Sequence, residues 1–242
     1  MLDVRIASKQ FSSSEGAELS VLKDLGFGCA DRSFTCIVGP SGCGKTTTLR
    51  CILGLDTDYN GNITVGNESA ESKIAAVFQE PRLLPWRTVE QNVRLALKQT
   101  DEVMLDSLFA ELGLSEHRDF YPAELSLGLA RRVSLARAFA VDPTVLILDE
   151  PFVSLDDDTA ARLRKLLIKV WAGRACTALM VTHNLTEAIE LADRILFFSV
   201  SPSQVQHEYD IPVPREERSD AVINSIRADI QADIQDFVAG TP

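Results

Sequence analysis

The first 38 residues place apolar side chains at about every second position, as at Val4 and Ile6 and again at Leu25 and Phe27. A period of two is the spacing of a half-buried β-strand. We therefore expect short strands on either side of a turn at residues 12–16. An apolar and β-branched run at residues 33–38 predicts a buried strand, and residues 46–53 predict a helix that Gly54 closes.

Apolar runs bounded by turn residues predict further strands. They are residues 62–65, 74–78, 144–148 and 177–181. Residues 56–61 are rich in turn formers and are predicted to be a connection. The helix between the last two strands is expected to pack its apolar face on the core, with side chains that recur at helical spacing: Leu163, Leu166, Leu167, Val170 and Trp171.

Residues 82–140 have the periodicity of helices. Two prolines in residues 80–85 predict a loop. Thr88 and Gln91 are spaced as a capping box for a helix that extends to about residue 98, and Asp101 is the predicted cap of the next helix, which stops at Gly113.

The tail beyond residue 200 changes character. Prolines 202, 212 and 214 predict an irregular linker. Isoleucines at helical spacing then predict a helix over residues 222–237, and we expect its apolar stripe to pack on the chain's own core.

The stretch at residues 39–46 fits the pattern Gly-x-x-x-x-Gly-Lys-[Ser/Thr]. Between a predicted strand and a predicted helix, such a loop turns successive backbone N–H groups toward a phosphate. We expect a nucleoside triphosphate here, with Lys45 on its phosphates and the Thr46 hydroxyl on Mg²⁺. The binding residues are predicted to be Gly39, Pro40, Ser41, Gly42, Cys43, Gly44, Lys45, Thr46 and Thr47. Cys43 is either a small residue that fills the loop or a modifiable thiol.

Polar side chains end the predicted parallel strands, where ligands of open α/β sheets bind. Asp149 and Glu150 suit a Mg²⁺ ligand and a base for the attacking water, respectively. His183 is placed to contact a γ-phosphate, and Gln79 to contact the metal or the water. Phe11 is either an adenine platform or a core residue.

The stretch at residues 125–129, Leu-Ser-Leu-Gly-Leu, precedes a long predicted helix that Ser126 can cap. Ser126 and the N–H of Gly128 form a second phosphate-binding helix start. One nucleotide cannot easily contact two helix starts of one chain. A second copy of the chain would resolve this geometry.

Composition narrows the functional classes. The 242 residues are 45% hydrophobic, and no run reaches the roughly 18 uncharged apolar residues of a membrane span. Because the N-terminus also lacks a secretory apolar core, we expect a cytosolic protein. The net charge of −11 argues against a nucleic-acid partner. The five cysteines form no Cys-x-x-Cys pair and are expected to be reduced.

Taken in order, these motifs resemble the ATP-binding subunits of ABC transporters. The resemblance covers residues 1 to about 200 and adds residues 154–156 as the D-loop. It implies a P-loop NTPase (RecA-like) parallel sheet core of the α/β class, with an N-terminal antiparallel β subdomain and an inserted helical subdomain. The expected parts are the core (residues 1–81 and 141–200), the helical subdomain (82–140) and a C-terminal linker and helix (201–242).

Residues 79–86, 150–152 and 213–215 look like those of the nitrate, sulfonate and taurine importers. This resemblance implies an ATPase that forms a head-to-tail homodimer. Each ATP would lie between the loop at residues 39–46 of one copy and residues 125–129, the family's signature stretch, of the other. It also implies a membrane permease docked on Leu83, Leu84 and Trp86, an external solute-binding protein as an indirect partner, and a peripheral location on the cytoplasmic face of the membrane. The cargo would be nitrate, a sulfonate, taurine or a related small anion.

The signature departs from the family's Leu-Ser-Gly-Gly-Gln, because Leu127 replaces the first glycine and Leu129 the glutamine. Such a bulkier signature could slow turnover, yet Glu150 and His183 predict retained activity. Three other classes stay open. A soluble P-loop GTPase or kinase leaves the signature unexplained, and a non-transport ABC ATPase would need basic surface or a second cassette. An ABC exporter is less consistent with the proline-flanked loop.

Overall fold

The computed structural model describes residues 1–12, 18–66, 72–97 and 101–239, with side chains omitted for 235–239. The chain divides into two compact units. The first unit comprises Met1–Val65 and Leu179–Pro242, and the second comprises Gly66–Ala178. The predicted turn at residues 12–16 lies almost entirely outside the described residues.

The strands of the described part are, in chain order, β1 (Leu2–Ser12), β2 (Glu18–Cys29), β3 (Phe34–Val38), β4 (Asn60–Val65), β5 (Ile74–Val77), β6 (Val145–Asp149), β7 (Thr177–Thr182), β8 (Arg194–Phe198) and β9 (Val205–Asp210). The α-helices are α1 (Lys45–Ile52), α2 (Val89–Arg94), α3 (Glu102–Glu111), α4 (Leu127–Phe139), α5 (Asp157–Ala172), α6 (Leu185–Leu191) and α7 (Asp220–Ala239). These elements match most of the predicted order.

An antiparallel sheet with the strand order β2-β1-β4 forms one part of the first unit. Val4 of β1 lies opposite Phe27 on one side and Ile63 on the other. Leu2, Val4 and Ile6 are buried, as the alternating pattern predicts. Strand β4 starts at Asn60, inside the predicted turn region, because β1 supplies a hydrogen-bonding partner there.

A second sheet in the first unit has the order β7-β3-β8-β9, and β7 belongs to this unit from Leu179 onward. Strands β3 and β8 are parallel, with Ile37 opposite Leu196. Strand β9 pairs antiparallel with β8, so the predicted irregular linker contains an edge strand. Its alternating half-exposed positions explain why the sequence shows no apolar run there.

The C-terminal helix α7 packs against α6 in the first unit. Ile223, Ile226 and Ile230 are at most 5% exposed, which confirms that this part of the apolar stripe packs on the chain itself. Phe237, the last predicted member of the stripe, has a side chain outside the described part.

In the second unit, β5 and β6 are parallel neighbours. Helix α4 packs on β5, and α2, α3 and α5 contact α4. The Thr88–Gln91 capping box and the Asp101 cap are both present as predicted. Helix α2 is shorter than predicted and ends at Arg94, because the N–H groups of Ala96 and Leu97 bond carbonyls only three residues back.

Parallel strands with helices, an antiparallel N-terminal sheet and a helical insertion confirm the predicted fold class. The predicted subdomain limits at residues 82 and 140 stay predictions. All five cysteines are free and buried. Within the described ranges, no helix combines the length and apolar character that a membrane crossing requires.

Candidate functional site

Residues 39–44 connect β3 to α1, and Lys45 and Thr46 are the first two residues of that helix, as predicted. Gly42 has φ 77° and Gly44 has φ 103°, values that side-chain-bearing residues rarely adopt. Helix α1 begins at Lys45, directly after Gly44. The loop therefore ends at a helix N-terminus, where backbone N–H groups and the helix dipole favour an anion.

Lys45 is buried within this loop, with only 6% of its surface exposed. Its Nζ donates hydrogen bonds to the carbonyl oxygens of Gly39 at 2.7 Å and Pro40 at 2.9 Å. The loop therefore encloses an ammonium group. Cys43 is 1% exposed, which favours the interpretation of a small residue filling the loop over that of a modifiable thiol.

The remaining loop residues differ in exposure. Pro40, Ser41, Gly42 and Thr46 are exposed, and Thr47 is half-buried. The Thr46 hydroxyl is thus accessible as an oxygen ligand. Thr48 instead bonds inward, because its hydroxyl donates to the carbonyl of Gly44 at 3.0 Å and so ties the first turn of α1 to the loop.

Phe11 lies at the end of β1 and is 42% exposed, so it is not a core residue. The Nζ of Lys9 lies 4.6 Å from the ring centroid of Phe11, a cation–π distance. Lys9 itself is 2% exposed and donates to Asp56 at 2.8 Å and to the carbonyl of Asp58 at 2.6 Å. The bond from Lys9 lowers the pKa of the Asp56 carboxyl.

His183 follows β7 and is exposed. Both of its neighbours are fixed. The Thr182 hydroxyl donates to Glu187 at 2.7 Å and accepts from the N–H of Asn184 at 3.0 Å. Asn184 in turn caps α6 by accepting from the N–H groups of Thr186 and Glu187. The backbone at His183 is therefore well defined.

Gln79 and Glu150 lie at corresponding points of the second unit. Val77 of β5 pairs with Leu148 of β6. Gln79 lies two residues after Val77, and Glu150 lies two residues after Leu148. Parallel neighbours are about 4.8 Å apart, so the two side chains leave the same sheet edge. Asp149, the last residue of β6, is 8% exposed. Glu150 has φ 44°, an uncommon backbone conformation for a residue with a side chain.

The signature stretch forms the start of α4. Ser126 is its N-cap, and the Oγ of Ser126 accepts from the N–H of Leu129 at 3.3 Å. Leu127 is 40% exposed. Packing alone also favours glycine at position 128, because a Cβ atom there would lie 2.8 Å from the Cγ2 of Thr159.

The loop between β5 and α2 exposes one large apolar side chain, Trp86, which is 70% exposed. Leu83 and Leu84 are half-buried, so they are less accessible than the docking surface that the family resemblance implies. Asn92 explains the difference. Its side chain accepts from the N–H of Leu84 and donates to the carbonyls of Leu84, Arg87 and Thr88, which holds the loop against α2.

Sequence reasoning missed the polar side chains that hold this loop from the other side. Ser134 donates to the carbonyl of Pro81 at 2.9 Å, and Arg137 donates to those of Pro81 and Arg82. Arg131, one turn nearer the signature, donates to Phe78. The available signal was their spacing of three residues, which places them on one face of a helix whose other residues are mostly apolar.

The residues predicted to bind Mg²⁺ carry the oxygen donors that this ion prefers: the hydroxyl of Thr46, the amide of Gln79 and the carboxylate of Asp149. Among the described residues, no group of three or more His, Cys, Asp or Glu side chains could hold a metal ion.

Comparison with known sequences agrees with this geometry. Residues 22–153 match the family described as ABC transporter. An aliphatic sulfonates import ATP-binding protein of Bacillus cereus is 37% identical, over 91% of this chain and 90% of its own length. A protein of the same kind from Pseudomonas syringae pv. tomato is also 37% identical, over 94% of this chain and 95% of its own length.

Solved structures give the same result. A bacterial ABC transporter cassette in a dimeric structure superposes with a TM-score of 0.75 at 25% identity, covering 88% of this chain and all of that one. An ATP-binding subunit of an ABC transporter superposes with a TM-score of 0.72 at 25% identity, over 87% of this chain and 90% of that one. The chain belongs to the ABC transporter family, as one of its ATP-binding domains.

Proposed function

We propose that this chain is the ATP-hydrolysing subunit that powers solute import through a membrane permease. The observation that carries the proposal is the loop at residues 39–46, with its enclosed Lys45 and the helix start behind it. Relatives that cover nine-tenths of the chain are named as import ATP-binding proteins, which supports the same role.

In this proposal the loop binds the triphosphate. Lys45 exchanges its two carbonyl partners for phosphate oxygens, which are stronger acceptors for an ammonium group. Thr46, Gln79 and Asp149 would hold Mg²⁺, and a magnesium ion bound with ATP would supply positive charge beside the transferred phosphoryl group. The exposed ring of Phe11 stacks on adenine.

Hydrolysis is assigned to residues at the strand ends. Glu150 takes the proton of the attacking water, and Gln79 orients that water through its amide. His183 donates a hydrogen bond to the γ-phosphate.

Ser126 supports the proposed head-to-tail homodimer. Its Oγ accepts a hydrogen bond from its own helix, so the hydroxyl proton remains a donor that can reach an anion. With the N–H of Gly128 and the dipole of the 13-residue helix α4, it forms a phosphate-binding helix start. We assign this start to the ATP held by the loop of the second copy.

The permease is assigned to the loop that carries Trp86, a large apolar side chain exposed beside a rigidly held backbone. Exposed aromatic groups of this kind are typical anchors of protein interfaces. The subunit would then sit on the cytoplasmic face of the membrane as a peripheral protein, and an external binding protein would deliver the solute. Because the relatives are named for the import of aliphatic sulfonates, a sulfonate is the proposed cargo class, with nitrate and taurine as alternatives.

The test is transport in proteoliposomes that contain the chain, its copurifying permease and the binding protein. ATP on the side that carries the chain should drive uptake of a radiolabelled alkanesulfonate, and Glu150→Gln should abolish uptake while ATP still binds. Movement of solute in the opposite direction would indicate an exporter and overturn the import assignment. Copurification with no membrane protein would instead favour a non-transport ABC ATPase.

A further inference from the structure

Arg131 links two loops of the second unit. It lies on α4, five residues after Ser126, and is 3% exposed. Its Nη1 donates to the carbonyl oxygen of Phe78 at 3.0 Å, and its Nη2 donates to the carbonyl oxygen of Val153 at 3.3 Å. One guanidinium group therefore bridges the segment after β5 and the segment after β6.

The two acceptors lie beside the two residues assigned to hydrolysis. Phe78 directly precedes Gln79. Val153 belongs to the turn that starts at Glu150, since the N–H of Val153 donates to the carbonyl of Glu150 at 3.3 Å. Because the paired strands β5 and β6 fix where each segment starts, the Arg131 bridge fixes where each one goes next.

A guanidinium group is costly to bury, so the burial of Arg131 indicates that its hydrogen bonds have a specific task. Burial lowers the pKa of Arg131, and the charge of Glu80 opposes that effect. A guanidinium is a planar fork whose N–H groups are at a fixed spacing, so two carbonyls bound to it are held at a defined separation. Lysine carries the same charge but lacks this fork.

We propose that Arg131 is a positioning residue for ATP hydrolysis, one that sets the separation between Gln79 and Glu150. The proposal rests on the function proposed above, in which Glu150 activates the water and Gln79 orients it. Arg131 acts through these two residues, whereas the phosphates are assigned to the loop at residues 39–46 and to the start of α4 at Ser126 and Gly128. Its loss should therefore lower kcat and change KM little, because misplacement by about 1 Å can cost a catalytic group roughly 100-fold.

The test compares steady-state hydrolysis of Mg²⁺-ATP by the purified full-length chain and its variants. Arg131→Met should lower kcat about 10- to 100-fold, with KM within about threefold of wild type. Arg131→Lys, which keeps the charge but not the planar fork, should have a kcat between those of wild type and Arg131→Met. The matched control is Arg132→Met on the same helix, whose only described hydrogen bond goes to the carbonyl of Leu112 at 3.5 Å; it should stay within about twofold of wild type.

The double variant separates positioning from a general structural defect. If Arg131 acts through Glu150, then Arg131→Met combined with Glu150→Gln should be no slower than Glu150→Gln alone. The proposal would be overturned if the double variant showed the product of the two single rate losses. It would also be overturned if a higher KM accounted for the whole effect of Arg131→Met, or if kcat were unchanged in both Arg131 variants. Unchanged kcat in Glu150→Gln would instead overturn the proposed function, so the two failures are distinguishable. Thermal unfolding should show that each variant is fully folded at the assay temperature, so that a lower kcat cannot come from unfolded protein.

Discussion

Gly42 and Gly44 lie two residues apart in the phosphate loop and offer a matched pair of substitutions. Both have positive φ, at 77° and 103°. An alanine Cβ at position 42 would meet nothing within 4 Å. At position 44 it would lie 2.8 Å from Leu22 Cδ2 and 3.1 Å from Val21 Cγ1.

The expected losses of unfolding free energy follow from these surroundings. Gly42→Ala should cost only the backbone strain of a left-handed conformation, about 1–2 kcal/mol. Gly44→Ala should add overpacking against two buried side chains of β2, about 1–3 kcal/mol more. Together the second variant should lose about 2–5 kcal/mol.

The assay is urea or thermal unfolding of the full chain, followed by far-UV circular dichroism. Each kcal/mol corresponds to about 2–4 °C in Tm for a chain of this size. Gly44→Ala should therefore unfold several degrees below Gly42→Ala. Equal losses in the two variants, or a larger loss at Gly42, would show that the packing of Gly44 on β2 does not shape the loop.

The remaining predictions concern buried polar groups and the exposed tryptophan. Asp56→Asn should destabilise the chain by up to about 3 kcal/mol at pH 7, since it removes the nearer carboxylate of buried Lys9 and leaves only that of exposed Asp58, at 3.5 Å. Because the folded-state pKa of Asp56 is lowered, the gap to wild type in urea titrations should shrink as pH falls below about 3.9; a constant gap would contradict this. Asn92→Leu should cost about 2–4 kcal/mol by calorimetry. Asn92→Asp should cost at least as much, because it buries a carboxylate oxygen against the backbone carbonyl oxygens to which the amide group donates. Trp86→Ala should reduce permease copurification with Tm unchanged within about 2 °C; unchanged copurification would remove Trp86 from the interface.

Local chemistry made several elements predictable from the sequence. The caps at Thr88, Asp101 and Ser126 follow from side chains that accept from the N–H group three residues ahead, so a short window contains both partners. The phosphate loop is predictable for the same reason, because its glycines, Lys45 and helix start are contiguous. The family resemblance then supplied the roles that spacing alone left open.

Features that depend on distant partners were not predictable. Strand β9 exists because β8 offers an edge, and its own residues are half-exposed and mostly polar. Leu84 is partly buried because Asn92 holds its backbone from eight residues away. Arg131 bonds two backbone carbonyls, and a carbonyl acceptor leaves no trace in residue identity.

We propose that ATP is hydrolysed between the phosphate loop of one copy and the signature stretch of another. Two inactive variants test it by complementation. Lys45→Met disables the loop, and Ser126→Asp places a negative charge at the signature while keeping a good helix cap. A head-to-tail dimer of the two variants contains one intact site.

Mixing the purified variants in equal amounts should therefore restore Mg²⁺-ATP hydrolysis, up to about a quarter of the wild-type rate if subunits assort at random. Each variant alone should remain inactive at the same total concentration. A mixture that hydrolyses ATP no faster than its two components would contradict the shared site, and a Ser126→Asp variant that is fully active alone would contradict the role assigned to the signature.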